Sequence, residues 1–548
     1  MMKRRPIFLL FLALSAAGCL RGQHPPRQQG IDPLHYTFTI QLPDSGRTID
    51  GRAVVTIRRS GDADHLVLDL ADLKVDTVRV SDRPVKFVRK PRLIDIPLPR
   101  PGPAAIDTLD IAVRYGGEVK DGLIIHADEK GRWYAFGDNW PDRASCWLPT
   151  IDDPSAKATV SWNILAPSTS TVVANGALLG QEVLPFDSRR GSVSYTLTRW
   201  NTARPIPPYL MVIAAGPLTK YDLGLTARGL SEFPPGVRQS VYVVPELTDY
   251  LPGPFASAGA IVQFFSTLVA PFPYEKLAHV QSFTRYGGME NASAIFYAND
   301  LFKRKEMHTG IIAHETAHQW FGDAVTPRSW GHLWLSEGFA TYFEQLWVEK
   351  SEGEKPFQRG MRQLRDEIAA SDVTYMRPVI DTLQDNYGKL LNTNSYQKGA
   401  WALHMLRSLL GDSVFFAGIR RYYDQHRHGT ATSDDLCASL EQVSHRRLRW
   451  YFDEWLRRPG IPEFTVRWTY DQELSKLSLV IEQDSRTPPY QFPLAIEVQA
   501  LRGESKTVTV EVPATRTAHL SVPVDLITKP VRLFFDPQVR LLAIIKTK

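Results

Sequence analysis

The segment His314-Glu315-Thr316-Ala317-His318, followed after 18 intervening residues by Glu337, constrains this chain more than any other feature of its sequence. On a helix of ~3.6 residues per turn, residues four apart lie about 40° from eclipsed, so both imidazoles reach one metal ion. His308 to Ala313 lead into that helix, and Gly322 is placed to end it. A second helix carries Glu337 in Trp334-Leu335-Ser336-Glu337-Gly338-Phe339-Ala340, which brings the donor set to two nitrogens and one oxygen. A fourth position is then left for water, the arrangement of a catalytic rather than a structural zinc site. Glu315, next to the first histidine, faces that water rather than the metal when such a motif belongs to a hydrolase. The competing reading is an amphipathic helix whose polar face happens to carry two histidines.

Three further features weigh against that competing reading: Trp320-Phe321-Gly322 after the motif, the apolar frame around Glu337, and an upstream Gly287-Gly288-Met289-Glu290-Asn291. Together they resemble the aminopeptidase N family of zinc metallopeptidases, which also contains the leukotriene epoxide hydrolases. The resemblance extends over most of residues 140–460. It implies one zinc ion per chain, held by His314, His318 and Glu337, and peptide substrates with a free N-terminus. In that family the Glu of the upstream motif binds the substrate's α-ammonium, which assigns Glu290 that role. The chemistry is apt, because a carboxylate makes a charge-assisted hydrogen bond to a terminal ammonium. Gly287 and Gly288 allow close backbone approach, so this motif, through Met289 and Asn291, suits an edge that takes an extended substrate as an added strand. Tyr286 lines the first side-chain pocket by the same resemblance. Ser395-Tyr396-Gln397-Lys398-Gly399 resembles the family's Tyr-x-Lys-Gly, whose tyrosine donates a hydrogen bond to the developing oxyanion. With a pKa of ~10, Tyr396 keeps its proton at neutral pH.

Other positions are weighed on the same terms. Glu344 lies seven residues past Glu337, nearly on the same helical face, and suits a hydrogen bond that fixes the tautomer of a ligand imidazole. His332 is expected to be structural, since three ligands already exist. Pro149 to Lys157 resembles the family's Pro-x-x-Asp-x-Pro-x-x-Lys turn and reads as architectural. Where the family supplies a Gln, and often a Glu two residues on, this chain has Asp138 and Trp140. Asp138 is therefore either a replacement contact to the substrate amine or a turn residue. The epoxide hydrolases place an acid about eight residues before the oxyanion tyrosine; Tyr387-Gly388-Lys389 stands there instead, which disfavours lipid epoxide hydrolysis. A catalytically inactive, peptide-binding surface lipoprotein is the remaining alternative, disfavoured because every catalytic position is filled.

Periodicity divides the chain into a multidomain α+β protein. Residues 31–230 alternate in the manner of an all-β domain, with strands at His35–Ile40, Arg52–Ile57 and Ser192–Leu197. Helical periods dominate 231–460, the catalytic domain, which the resemblance makes thermolysin-like. Alternation returns over 461–548 as a small β-sandwich. Larger relatives continue into a long helical domain that closes over the active site. Residues 1–19 combine Lys3-Arg4-Arg5 with a short apolar run from Ile7 to Ala17 and read as a signal peptide. Ala16-Ala17-Gly18-Cys19 resembles a bacterial lipoprotein box, although Ala16 replaces the usual Leu; Cys19 would carry the lipid and residues 20–30 the tether. The expectation is an exported lipoprotein facing the periplasm or cell exterior, touching the membrane only through that anchor, or else a soluble secreted enzyme. Formal net charge is +5, three units of it in the signal segment, so nothing favours nucleic acid. Besides Cys19 only Cys146 and Cys437 occur, too few for a disulfide framework.

Overall fold

Alternating apolar side chains put Tyr36, Phe38 and Ile40 on one face of the strand Ile31–Gln41, and all three are fully buried. A strand with one buried face needs a layer to cover it. This strand lies inside an eight-stranded sheet, antiparallel to Thr48–Ser60 and parallel to Thr159–Pro167. Trp162 faces Phe38 at 5.1 Å and stacks on Trp147 at 5.9 Å. A four-stranded sheet (Thr171–Ala174, Ile213–Gly216, Trp133–Gly137, Leu123–Ala127) and a three-stranded one complete this β-rich part. The computed structural model describes residues 28–101, 106–187 and 193–547. The signal segment, Cys19 and most of the tether lie outside them. Gln28, at the end of the expected tether, is tied to the fold by two hydrogen bonds to the backbone of Val67.

The boundary expected at 230/231 falls inside a sheet. Thr219–Thr226 pairs with Val237–Val243, and the five-stranded order continues through Leu277–Ser282 and Ala294–Ala298 to the short edge strand Gly288–Met289. The alternating pattern of 219–226 matched the strands before it, and only pairing reveals that it belongs with those after it.

The ligand helix, Thr309–His318, packs on the long helix Trp334–Glu352. His308 opens the first by accepting a hydrogen bond from Ile311 N at 3.3 Å. Its last helical residue is His318, one turn before the Gly322 expected to end it; Gly322 instead takes φ +127° in the following turn. Trp320 and Phe321 in that turn plug the core, Phe321 stacking on Phe339 at 4.2 Å. The C-terminal part is a four-stranded and a three-stranded sheet, with Phe464 of one against Phe492 of the other at 5.1 Å. Among the described residues no helix is long and apolar enough to cross a membrane.

Lys157 shows why the Pro149–Lys157 turn is architectural. Its buried ammonium reaches from the β-rich part into the helical part and donates to the carbonyls of Asp323, Ala324 and Gly429 at 2.8, 2.9 and 3.0 Å. Burial pushes its pKa down to about 7, opposed by the nearby Asp323 carboxylate. The first two carbonyls belong to the turn that follows the ligand helix. Lys157→Met should therefore cost at least about 3 kcal/mol, from three stranded carbonyls at ~1 kcal/mol each. Chemical denaturation of the purified variant measures this, and an unchanged midpoint would refute it.

Candidate active site

Two helices and one edge strand bring the candidate residues together. His314 and His318 are four apart on the ligand helix, and Glu337 opens the helix packed across it. Glu337 Oε2 lies 3.5 Å from His314 Nε2 and 3.3 Å from His318 Nε2. The three donor atoms fall within 4.8 Å of one another. The far nitrogens fix the tautomers: His318 Nδ1 faces the Phe321 carbonyl at 3.1 Å, and His314 Nδ1 faces Glu344 Oε2 at 3.5 Å. Each imidazole therefore turns Nε2 toward Glu337, as a ligand must. Glu290, Glu315 and His318 form a second trio within the same limit, but that set holds only one nitrogen.

Electrostatics favour a cation there. Burial opposes protonation of His314, yet Glu337 and Glu344 outweigh it and hold its pKa well above the usual range. Burial likewise opposes ionisation of Glu337, and the two imidazoles override it, pulling the carboxyl down to about 2. The pocket thus stabilises positive charge between these groups, and two nitrogens with one oxygen suit zinc.

Glu315 is different. Burial pushes its carboxyl up to about 7, against the lowering pull of both histidines. A carboxylate so poised is suited to accept and return a proton near neutral pH. It also lies against the substrate edge: a Cβ on Gly288 would sit 2.0 Å from Glu315 Oε1. Any side chain at Gly288 would have to displace Glu315 from this position. Two positions along, Glu290 is 7 % exposed, its pKa raised by burial and by Glu337 and lowered by His318.

Tyr396 sits on a π-helical turn, Asn394–Lys398, its ring stacked on His314 at 6.2 Å. π-turns inserted in helices frequently mark functional positions. The turn is pressed onto the Glu337 helix by paired glycines, since a Cβ on Gly338 would meet Gly399 at 2.9 Å. Burial, with Glu337 and Glu290 nearby, raises the Tyr396 pKa well above the ordinary value, so its phenol stays a donor.

Glu344 lies beside the outer nitrogen of His314. His332 turns away to Ser433 Oγ at 2.8 Å. Asp138 fits neither expectation. It is fully buried in an ion pair with Arg143 at 2.9 Å and accepts from Thr284, so it is neither a turn residue nor open to a substrate amine. Two contributors escape sequence reasoning. Gln319 donates to the Glu290 carbonyl at 2.9 Å and accepts from Ser293 N at 2.8 Å, binding the ligand helix to the substrate edge. Ser336 Oγ lies 3.0 Å from His318 Nδ1. Both adjoin a ligand in sequence, and that adjacency was the only available signal.

Comparison with known proteins agrees with this geometry. Residues 256–455 match the peptidase family M1 domain and residues 32–210 the peptidase M1 N-terminal domain, together more than half of the chain. Leucine aminopeptidase 2 of Ajellomyces capsulatus is 25% identical over 481 residues, covering 82% of this chain and 73% of that protein. Aminopeptidase N of Lactobacillus helveticus is 26% identical over 493 residues, covering 84% of this chain but 55% of its relative. The crystal structure of an M1 zinc metallopeptidase from Deinococcus radiodurans shares the fold, with a TM-score of 0.68 at 23% identity over 79% of this chain and 96% of that one. With both of its domain models matched in order along the sequence, this chain belongs to peptidase family M1.

Proposed function

We propose that this chain is a zinc aminopeptidase that removes the first residue from peptides outside the cytoplasm, with Glu315 as general base. The observation that carries the reading is the convergence of His314, His318 and Glu337 beside a carboxylate, Glu315, that touches the glycine of an open sheet edge. When bound by those three residues, zinc supplies a Lewis acid that polarises the scissile carbonyl and lowers the pKa of water.

The chain's own residues do the rest. Gly287 and Gly288 present backbone to an extended peptide at the edge of the five-stranded sheet. Glu290 accepts hydrogen bonds from the peptide's α-ammonium and so sets which bond lies at the centre. Glu315 takes a proton from the attacking water and passes it to the leaving amine. Tyr396 donates a hydrogen bond to the carbonyl oxygen as it gains charge. Glu344 holds the His314 ring, and Ser336 with the Phe321 carbonyl holds His318. Lys3-Arg4-Arg5, the apolar run after them and Cys19 support export and a lipid anchor.

Glu315→Gln should keep stoichiometric zinc by elemental analysis and lose about 10³-fold in kcat; near wild-type turnover would remove Glu315 from the role of base. Tyr396→Phe should lower kcat by roughly 10²-fold with little change in KM, the pattern of a contact made mainly in the transition state. The function itself is tested with a panel of aminoacyl arylamides and their N-acetylated counterparts, with and without a chelator. Hydrolysis should need both the free amine and the metal. Equal cleavage of the acetylated set would defeat the aminopeptidase reading.

A further inference from the structure

The substrate edge is held at both ends by the β-rich N-terminal part, and the two ends are held differently. At the far end Asn175 donates to the Ala292 carbonyl at 2.7 Å, Gly176 N donates to Ser293 Oγ at 2.8 Å, and Lys276 Nζ donates to the carbonyls of both Ala174 and Ser293. These are contacts of neutral groups or of a single ammonium to backbone carbonyls and one hydroxyl. At the near end, immediately before Tyr286, four charged side chains close a ring. Arg143 Nη1 lies 2.9 Å from Asp121 Oδ1, and its Nη2 lies 2.9 Å from Asp138 Oδ2. Arg285 completes it, with Nε 3.2 Å from Asp138 Oδ2 and Nη2 on Asp121 Oδ1.

Each carboxylate thus sits between two guanidiniums, and each guanidinium between two carboxylates. Asp138 and Arg143 are buried, whereas Arg285 is 45% exposed. Asp121, Asp138 and Arg143 come from the N-terminal part; only Arg285 belongs to the loop that becomes the substrate edge. The same loop is pinned by Thr284, whose hydroxyl donates to Asp138 at 3.2 Å and accepts from Tyr286 N at 3.4 Å. Trp140 then meets the Tyr286 ring edge-on at 5.8 Å. A planar fork gripped by two carboxylates fixes direction as well as distance, which a single lysine contact does not.

We propose that Arg285 is a positioning residue: by closing this ring it fixes the start of the Tyr286–Asn291 edge on the N-terminal part, and with it the place where the peptide's first residue docks. The proposal rests on the aminopeptidase reading for its effect on substrate, but the clamp itself does not. Because the edge holds the peptide alike before and during reaction, loosening it weakens binding more than chemistry.

Arg285→Met and, from the other side of the ring, Asp121→Asn should each raise KM for an aminoacyl arylamide about tenfold while kcat changes less than twofold and zinc content stays stoichiometric. Arg285→Lys, which keeps the charge but not the fork, should recover part of the KM. Hydrogen exchange at the amides of 286–290 should quicken in both variants and stay unchanged at 314–318. A KM within twofold of wild type in both variants, or a fall in kcat at least as large as the rise in KM, overturns the proposal. If the wild-type chain shows no amine-dependent hydrolysis, the aminopeptidase reading fails and hydrogen exchange decides the clamp alone. Faster exchange at 286–290 then upholds it, and unchanged exchange overturns it.

Discussion

Glu290, Glu315, Glu337 and Glu344 converge on two imidazoles, three of the four carboxyls buried, and a cation between these groups relieves the crowding of negative charge. The same crowding separates their roles. Glu337 lies between both imidazoles and is held ionised, with its carboxyl at about 2. Glu315 sees those imidazoles from farther away, and burial leaves it near 7. Glu344 is more exposed and touches only the outer nitrogen of His314. Like residues with unlike surroundings are thus suited to different parts: Glu337 to holding a cation, Glu315 to exchanging a proton, Glu344 to steadying an imidazole.

That arrangement depends on elements far apart in sequence keeping register. The ligand helix is tied to the Glu337 helix by Ser336 reaching His318, and to the substrate edge by Gln319. The N-terminal part then grips the assembly from outside. Lys157 holds the turn after the ligand helix, Asn175 holds the far end of the edge, and the ring through Arg285 holds the near end. The β-rich part thus anchors, from outside, both the turn after that helix and the two ends of the edge segment.

The sequence was most legible where one residue type at one spacing has one geometric consequence. Histidines four apart on a helix face one point, and the strand of 35–40 could be read from alternation alone. Reading failed where the answer lay in pairing across the chain. The strand 219–226 looks like its predecessors but pairs forward. Asp138 looks like a loop acid beside Asn139 and Trp140, and nothing local announces Arg285, which is 147 residues away in sequence. Its burial and its double pairing are products of the fold, as is the contact of Gln319 with the Glu290 carbonyl.

The glycines of the motifs show why spacing and geometry carry the same information here. At Gly288, Glu315 Oε1 occupies the space a side chain would need, so the carboxylate and the edge strand approach more closely than any larger residue would allow. Gly338 and Gly399 do the same for the Glu337 helix and the turn bearing Tyr396. Adding one methyl group at either contact would push Glu315 away from the edge strand, or the turn bearing Tyr396 away from the Glu337 helix. In the proposed mechanism these are distances at which a shift of ~1 Å is worth about 10²-fold in rate. Residues beside the candidate side chains, with no functional group of their own, therefore set the distances on which the proposed chemistry depends.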